Sequence, residues 1–299
     1  MIDWRGVFPA VTTQLQEDGA IDFPATAACV DRLIGAGVKG LVMLGMVGEN
    51  GVMTAEEKRA VLKAGKEAAA GRVPVLGGVA EPTTLAACRY AADCARLGLD
   101  GLMVFPSIGY KTDGPETVRF YRDVARASPL PILIYNNPAA YGVDVTPELL
   151  PEMAEEPTIV AIKEESYDVR RVTDIINRLG DRITVICGVD DLLVESVVLG
   201  AVGWVSGMAN VYARESVAIL AHCLAGRWDQ ALRLYRILTP IYHLDTRVKL
   251  VQFIKLAGQL NGVGREFVRP PRQLLAGAER ALTERIVAET NAALARIGG

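Results

Sequence analysis

Thr158-Ile159-Val160-Ala161-Ile162-Lys163 is the stretch that decides how this chain of 299 residues folds. Its aliphatic, partly β-branched residues run on without polar alternation, which suits a parallel strand covered on both faces. It ends on one charged residue. Similar runs recur at spacings of roughly 20 to 35 residues, each followed by a longer stretch of helical periodicity. They occupy residues 6–13, 40–44, 73–78, 101–105, 131–135, 158–163, 183–187 and 203–207. Eight βα units close most simply into a barrel, so the expected fold is an α/β-class (β/α)8 TIM barrel. A doubly wound open sheet is the rival, because strand count does not prove closure.

The intervening segments carry helix punctuation. Thr54-Ala55-Glu56-Glu57 reads as a capping box, and Ala36-Gly37 and Leu97-Gly98 read as helix stops. After Met208-Ala209-Asn210 the strand signals cease, and Ala, Leu and Arg recur at helical spacing to the end. This divides the chain into a barrel domain, residues 1–225, and a C-terminal helical region, residues 226–299. Pro270 and Pro271 interrupt the latter, so residues 262–272 are expected to form a loop between helices.

Composition narrows the function. A hydrophobic content of 51% supplies an ample core, and a net charge of −3 leaves no basic excess for nucleic acid or an anionic membrane surface. The start, Met1-Ile2-Asp3-Trp4-Arg5, lacks a signal-peptide pattern, and no apolar run approaches the roughly 20 residues that span a bilayer. A soluble, cytoplasmic protein is expected. The five cysteines, Cys29, Cys88, Cys94, Cys187 and Cys223, form no C-x-x-C pair and read as reduced, mostly buried thiols. Asp190 and Asp191 lack a histidine partner in sequence and read as caps of the next helix, while His222 and His243 fall in the tail as structural or surface residues. No metal site is expected.

Catalytic groups of such barrels sit at the carboxyl ends of strands, which singles out Lys163 and, one strand earlier, Tyr135 at the end of Pro131-Ile132-Leu133-Ile134-Tyr135. Adjacent parallel strands would bring both to one mouth. A lysine amine is nucleophilic only when neutral, an apolar site favours that state, and a phenol within reach could relay protons. Taken singly, a snorkelling lysine and a packing tyrosine fit as well. The loop Gly45-Met46-Val47-Gly48-Glu49-Asn50-Gly51 offers backbone N–H groups that suit a carboxylate, though it also fits an ordinary βα turn. It is not a phosphate loop, because no Gly-Lys-Ser/Thr follows.

With G-x-x-G-E after the second strand, Y-N-x-P after the fifth and I-K-E at the end of the sixth, the chain resembles the dihydrodipicolinate synthase and N-acetylneuraminate lyase family over nearly its whole length. The resemblance implies a (β/α)8 barrel with a C-terminal helical domain, a homotetramer, no cofactor, and a lysine that forms an imine with a small 2-oxo acid. It makes Lys163 the Schiff-base residue and Tyr135 the proton relay, and gives the Met46 and Val47 amides the substrate carboxylate. It sets backbone groups near Gly188 and Val205 around the substrate; Tyr141 and Tyr110, apart from the resemblance, are read as residues that could aid Tyr135 in shuttling protons.

The chain departs from the dihydrodipicolinate synthases at three points. Met46 and Val47 replace two threonines. No tyrosine stands at the shuttle position in Phe105-Pro106-Ser107-Ile108-Gly109, with Tyr110 close by. Ala139-Ala140-Tyr141-Gly142 follows Y-N-x-P where an arginine would grip a second carboxylate. The resemblance therefore points to the catabolic branch: dehydratases of 2-keto-3-deoxy sugar acids, or the deaminase of 1-pyrroline-4-hydroxy-2-carboxylate in hydroxyproline breakdown. The alternatives are a pyruvate-dependent aldolase or synthase and a catalytically silent 2-oxo acid binder.

Overall fold

A computed structural model describes residues 2–297. The strands are β1 (Gly6–Pro9), β2 (Leu41–Met43), β3 (Val75–Val79), β4 (Gly101–Val104), β5 (Ile132–Asn136), β6 (Ile159–Glu164), β7 (Thr184–Cys187) and β8 (Gly203–Ser206). The helices are α1 (Phe23–Gly35), α2 (Ala55–Ala69), α3 (Thr84–Arg96), α4 (Gly114–Arg126), α5 (Pro138–Tyr141), α6 (Leu150–Met153), α7 (Arg170–Leu179), α8 (Leu193–Val198), α9 (Ala213–Leu224), α10 (Trp228–Asp245), α11 (Leu250–Leu260) and α12 (Gly277–Ile297).

All strand pairs are parallel, in the order β1-β8-β7-β6-β5-β4-β3-β2. The two ends meet: Ala10 bridges Val42, and the Val11 amide donates to the Val42 carbonyl at 2.9 Å. The sheet is a closed barrel, not a doubly wound sheet. β1 stops short of the run 6–13 because the backbone beyond it finds other partners. The Thr12 amide donates to Asn210 Oδ1 at 3.1 Å and the Gln14 amide to Thr26 Oγ1 at 3.0 Å.

Side-chain parity divides the core. Leu41 and Met43, Leu102 and Val104, and Ile132 and Ile134 pack outward among residues of α1 to α4. Val42, Met103, Leu133 and Ala161 form the inner cluster with Phe8, Leu76 and Ile186. Alternation along a strand thus puts Tyr135 beyond Leu133, and Lys163 beyond Ala161, on the inner face.

The expected helix ends are present. Thr54 and Glu57 form a capping box at α2. Ala36 caps α1 ahead of Gly37 at φ 93°, and Leu97 caps α3 ahead of Gly98 at φ 73°. Asp190 corrects the sequence reading. It caps no helix; instead its carboxylate accepts from Trp204 Nε1 at 2.9 Å, Ser206 Oγ at 3.0 Å and the Met208 amide at 2.9 Å. The buried indole N–H and hydroxyl of β8 need an acceptor, and Asp190 supplies it. Asp191 instead contacts His243 of α10 at 2.6 Å. All five cysteines are free thiols, and only Cys88 is partly exposed.

The segment between α11 and α12 doubles back onto the barrel. Lys255 of α11 pairs with Glu49 of the β2 loop at 2.6 Å, both side chains fully buried, and also donates to the Phe267 carbonyl at 2.5 Å. The Arg269 amide donates to the other Glu49 oxygen at 3.1 Å. Burial pushes the Lys255 ammonium down, against the pull of Glu49. Removing one member strands the other charge in the interior, so Lys255→Met is expected to cost about 3–5 kcal/mol in urea denaturation. A loss below about 1 kcal/mol would show the pair to be dispensable.

Arg269 also clamps Glu57 through two hydrogen bonds of 2.8 and 2.6 Å. That clamp, with the Thr54 amide, holds the Glu57 carboxyl down at about 2. A depressed carboxyl contributes stability that is complete above the ordinary carboxylate range and is lost as pH falls through the folded value. The melting-temperature gap between the wild type and Glu57→Gln is therefore expected to be widest above pH 4.5 and to close toward pH 2. A gap independent of pH would contradict this origin.

Candidate active site

β5 and β6 set the centre of the site. Their register places Tyr135 directly beside Lys163 and Asn136 beside Glu164. Lys163 is only 7% exposed, so its ammonium needs partners inside the protein. It has two: the Tyr135 ring, with Nζ 4.0 Å from the centroid, and the carboxylate of Glu165, with which it forms an ion pair. Gly188, past the end of β7, leaves room for this arrangement. A Cβ there would lie 3.0 Å from Lys163 Cε and 2.8 Å from Glu165 Cβ.

Consecutive glutamates end this strand and do different things. Glu164 is locked, accepting from Asn136 Nδ2 at 3.0 Å and the Ser166 amide at 2.7 Å. Burial raises its carboxyl above the usual range. Glu165 lies on the opposite parity, facing Lys163, and its Oε2 is buried with no hydrogen-bond partner among the described residues. The Asn136 side chain also accepts from the Val145 amide at 2.8 Å, which fastens the chain after α5 to the strand ends.

The phenol of Tyr135 accepts from Asn137 Nδ2 at 3.2 Å, and Asn137 also caps α5 through the Ala140 amide. Burial, then the negative charge of Glu165, pushes this phenol well above its ordinary value, so it stays a neutral O–H. Phe105 and Tyr141 complete an aromatic wall. Their rings lie edge-on to Tyr135 at centroid distances of 4.8 and 5.8 Å.

An acid pair closes the other side. Asp245, at the end of α10, reaches Asp190, and Gly207 admits it: a Cβ at 207 would lie 2.4 Å from Asp245 Oδ1. Burial, then the charges of Asp190 and Glu165, raise the Asp245 carboxyl well above the usual range, and burial raises Asp190. Three donors already serve the Asp190 oxygens. Of the two carboxyls, that of Asp245 is therefore the more strongly raised.

Above β2, Leu44 and Glu49 take left-handed backbone at φ 57° and 60°. Asn50 Nδ2 holds the turn by donating to the Leu44 and Gly78 carbonyls, each at 3.0 Å. Gly78 is obligatory, since a Cβ would lie 2.1 Å from the Leu44 oxygen. Within this turn the Met46 and Val47 amides have no acceptor among the described residues. Two free N–H groups at the barrel mouth suit a carboxylate.

The structure thus brings Lys163, Tyr135, Tyr141 and Gly188 together, with Met46 packed on the same inner cluster. Val205 is buried within β8 in register with Phe8. Tyr110 is not brought to Lys163 within one chain. It is 62% exposed and its phenol is engaged by Glu116. No group of three or more His, Cys, Asp or Glu residues among those described could hold a metal ion. Glu165, Asn137 and Asp245 were missed from sequence. Parity could have found Glu165, two positions after Lys163.

Because the atoms that a Gly188 side chain would strike include the Glu164 carbonyl at 2.9 Å, they cannot simply rotate away. Gly188→Ala is expected to displace Lys163 and Glu165 and to lower turnover by about 10²-fold, the scale of a small misplacement of reacting groups. Steady-state rates on a folded variant check this, and an unchanged rate would contradict it.

Comparison with known proteins agrees with this geometry. The model of the Dihydrodipicolinate synthetase family matches residues 3–290. The 4-hydroxy-tetrahydrodipicolinate synthase of Methanosphaerula palustris is 31% identical over 288 residues, 94% of this chain and 98% of its own. YagE of Escherichia coli K12, provisionally named a 2-dehydro-3-deoxy-D-gluconate aldolase, is 33% identical over 250 residues, 81% of this chain and 83% of YagE. The crystal structure of YagE in complex with pyruvate superposes with a TM-score of 0.90 at 30% identity, covering 96% of this chain and 99% of that one. That of dihydrodipicolinate synthase from Aquifex aeolicus superposes with a TM-score of 0.92 at 26% identity, covering 96% and 98%. The chain belongs to the dihydrodipicolinate synthetase family and is an enzyme of the class I aldolase and lyase type.

Proposed function

We propose that Lys163 forms an imine with C2 of a small 2-oxo acid or cyclic imino acid, and that the enzyme then removes water or ammonia from it. The observation that carries this reading is the buried amine at the end of β6, 4.0 Å from the Tyr135 ring centroid. Such an amine, once neutral, attacks the carbon; the protonated imine draws electrons from the neighbouring C–H bond, so a β-substituent can leave. The imine nitrogen is itself the electron sink, and the chemistry calls for no metal or cofactor. Tyr135 carries a proton to the departing oxygen, and the Met46 and Val47 amides hold the substrate carboxylate.

A dehydratase or deaminase fits better than a synthase that condenses two carboxylate substrates. Ala139, Ala140 and Tyr141 follow the Y-N-x-P motif, so no guanidinium at that position grips a second carboxylate. Aromatic rings and carboxyls dominate the mouth. Within this class 2-keto-3-deoxy sugar acids and 1-pyrroline-4-hydroxy-2-carboxylate are the substrates of choice. The likeness to YagE supports a second reading, aldol cleavage by the same imine.

Borohydride reduction in the presence of pyruvate, followed by peptide mass spectrometry, is expected to find the adduct on Lys163. Lys163→Ala should abolish it and lower turnover on the order of 10⁴-fold or more, the scale on which a nucleophile's removal acts in other covalent catalysts. Ammonia release from the pyrroline, water loss from the sugar acid, or pyruvate release identifies the branch. Undiminished turnover by Lys163→Ala would overturn the reading.

A further inference from the structure

We propose that Glu165 is a catalytic acid–base residue of this enzyme, exchanging protons with Lys163 and with C3 of the bound substrate. The proposal rests on the reading of Lys163 as the imine-forming residue and assigns the proton transfers of that same site.

The contrast with Glu164 carries the inference. Two carboxylates of adjacent residues lie at the end of β6, and among the described residues only that of Glu164 is fixed by amide donors. Glu164 spends both oxygens on Asn136 and the Ser166 amide. Glu165 is as deeply buried, yet its Oε2 meets only the Lys163 ammonium, and among the described residues no backbone amide donates to it. A buried carboxylate is costly unless donors satisfy it, so a purely structural glutamate would be expected to hold backbone N–H groups as Glu164 does. The space for it is provided at the expense of a side chain on β7's end, since a Cβ at Gly188 would lie 2.8 Å from Glu165 Cβ. Tyr135, Tyr141, Tyr167, Cys187, Asp245 and Lys163 are the other ionisable groups around it.

The steps balance as follows. Glu165 takes one proton from the Lys163 ammonium, leaving a neutral amine and a neutral carboxylic acid. The nitrogen lone pair bonds to C2 and the carbonyl π pair moves to oxygen, and transfer of a proton from nitrogen to that oxygen, relayed by Tyr135, gives the carbinolamine. Glu165 returns its proton to the hydroxyl, which leaves as water while the nitrogen lone pair forms the protonated imine. The carboxylate so regenerated takes a proton from C3; the C–H pair becomes the C2–C3 double bond and the imine π pair returns to nitrogen. With pyruvate this last step is reversible, and in D2O it replaces C3 hydrogen by deuterium.

The test uses the full-length enzyme, pyruvate as probe, borohydride trapping, and NMR of C3 exchange in D2O. The wild type is expected to trap pyruvate on Lys163 and to exchange. Glu165→Gln should reach the same Lys163 adduct more slowly, which also reports that the variant is folded, while exchange falls by about 10²–10⁴-fold. Glu165→Asp, which keeps a carboxyl, should recover at least about tenfold of that loss, a part of the general acid–base contribution. Exchange by Glu165→Gln within about threefold of the wild type, a negligible part of such a contribution, would overturn the proposal. So would an aspartate variant no faster than the glutamine one. Absence of any Lys163 adduct in the wild type would instead overturn the imine reading itself, a separate outcome.

Discussion

A primary amine kept out of water must be compensated where it stands, and in this barrel that requirement arranges the whole mouth. Lys163 sits between a π face, which is held in turn, and a carboxylate, which is not fixed by amide donors among the described residues. The ring belongs to Tyr135, whose hydroxyl is fixed by Asn137. The backbone of β7 gives way at Gly188. The compensation stays within reach of chemistry, because a cation–π contact and an unanchored carboxylate can be given up when a substrate arrives, whereas a network of fixed donors could not.

The C-terminal helices belong to this mouth. α11 and the segment after it seize the β2 loop through Lys255, Arg269 and Glu49, so the turn that exposes the Met46 and Val47 amides is braced from outside the barrel. α10 contributes Asp245 from the opposite side. The geometry of that turn is therefore coupled to these helices. A substitution that loosens α11 reaches the turn proposed to bind the carboxylate without touching Met46 or Val47.

Much of this was legible in the chain. Continuous apolar runs marked the strands because both faces of each are covered, and polar residues at the ends of two runs marked Lys163 and Tyr135. Eight βα units made closure the simpler reading, but the contacts that achieve it, Ala10 and Val11 meeting Val42 beyond the end of β1, were not legible. Asp190 was misread because a carboxylate ahead of a helix ordinarily caps it, whereas here Trp204 and Ser206 bring buried donors from another strand. Glu165 follows from the same parity that places Lys163, but the parity rule is trusted least beyond a strand's end. Asp245 had no local signal at all. Its position in the site comes from how α10 crosses the barrel, and helical spacing in the tail does not encode that.

Gly207 and Asp245 lie far apart in the chain yet share one small volume, in which the carboxyl oxygen occupies the place of a missing Cβ. The two positions are consequently not free to vary independently. Among homologous chains, an acid at the end of the tenth helix should co-occur with glycine after the eighth strand, and a bulkier residue there should accompany a shorter, uncharged partner. The pairing would then serve as a two-letter marker for members that extend the barrel's acidic lining with a carboxyl borrowed from the helical appendage.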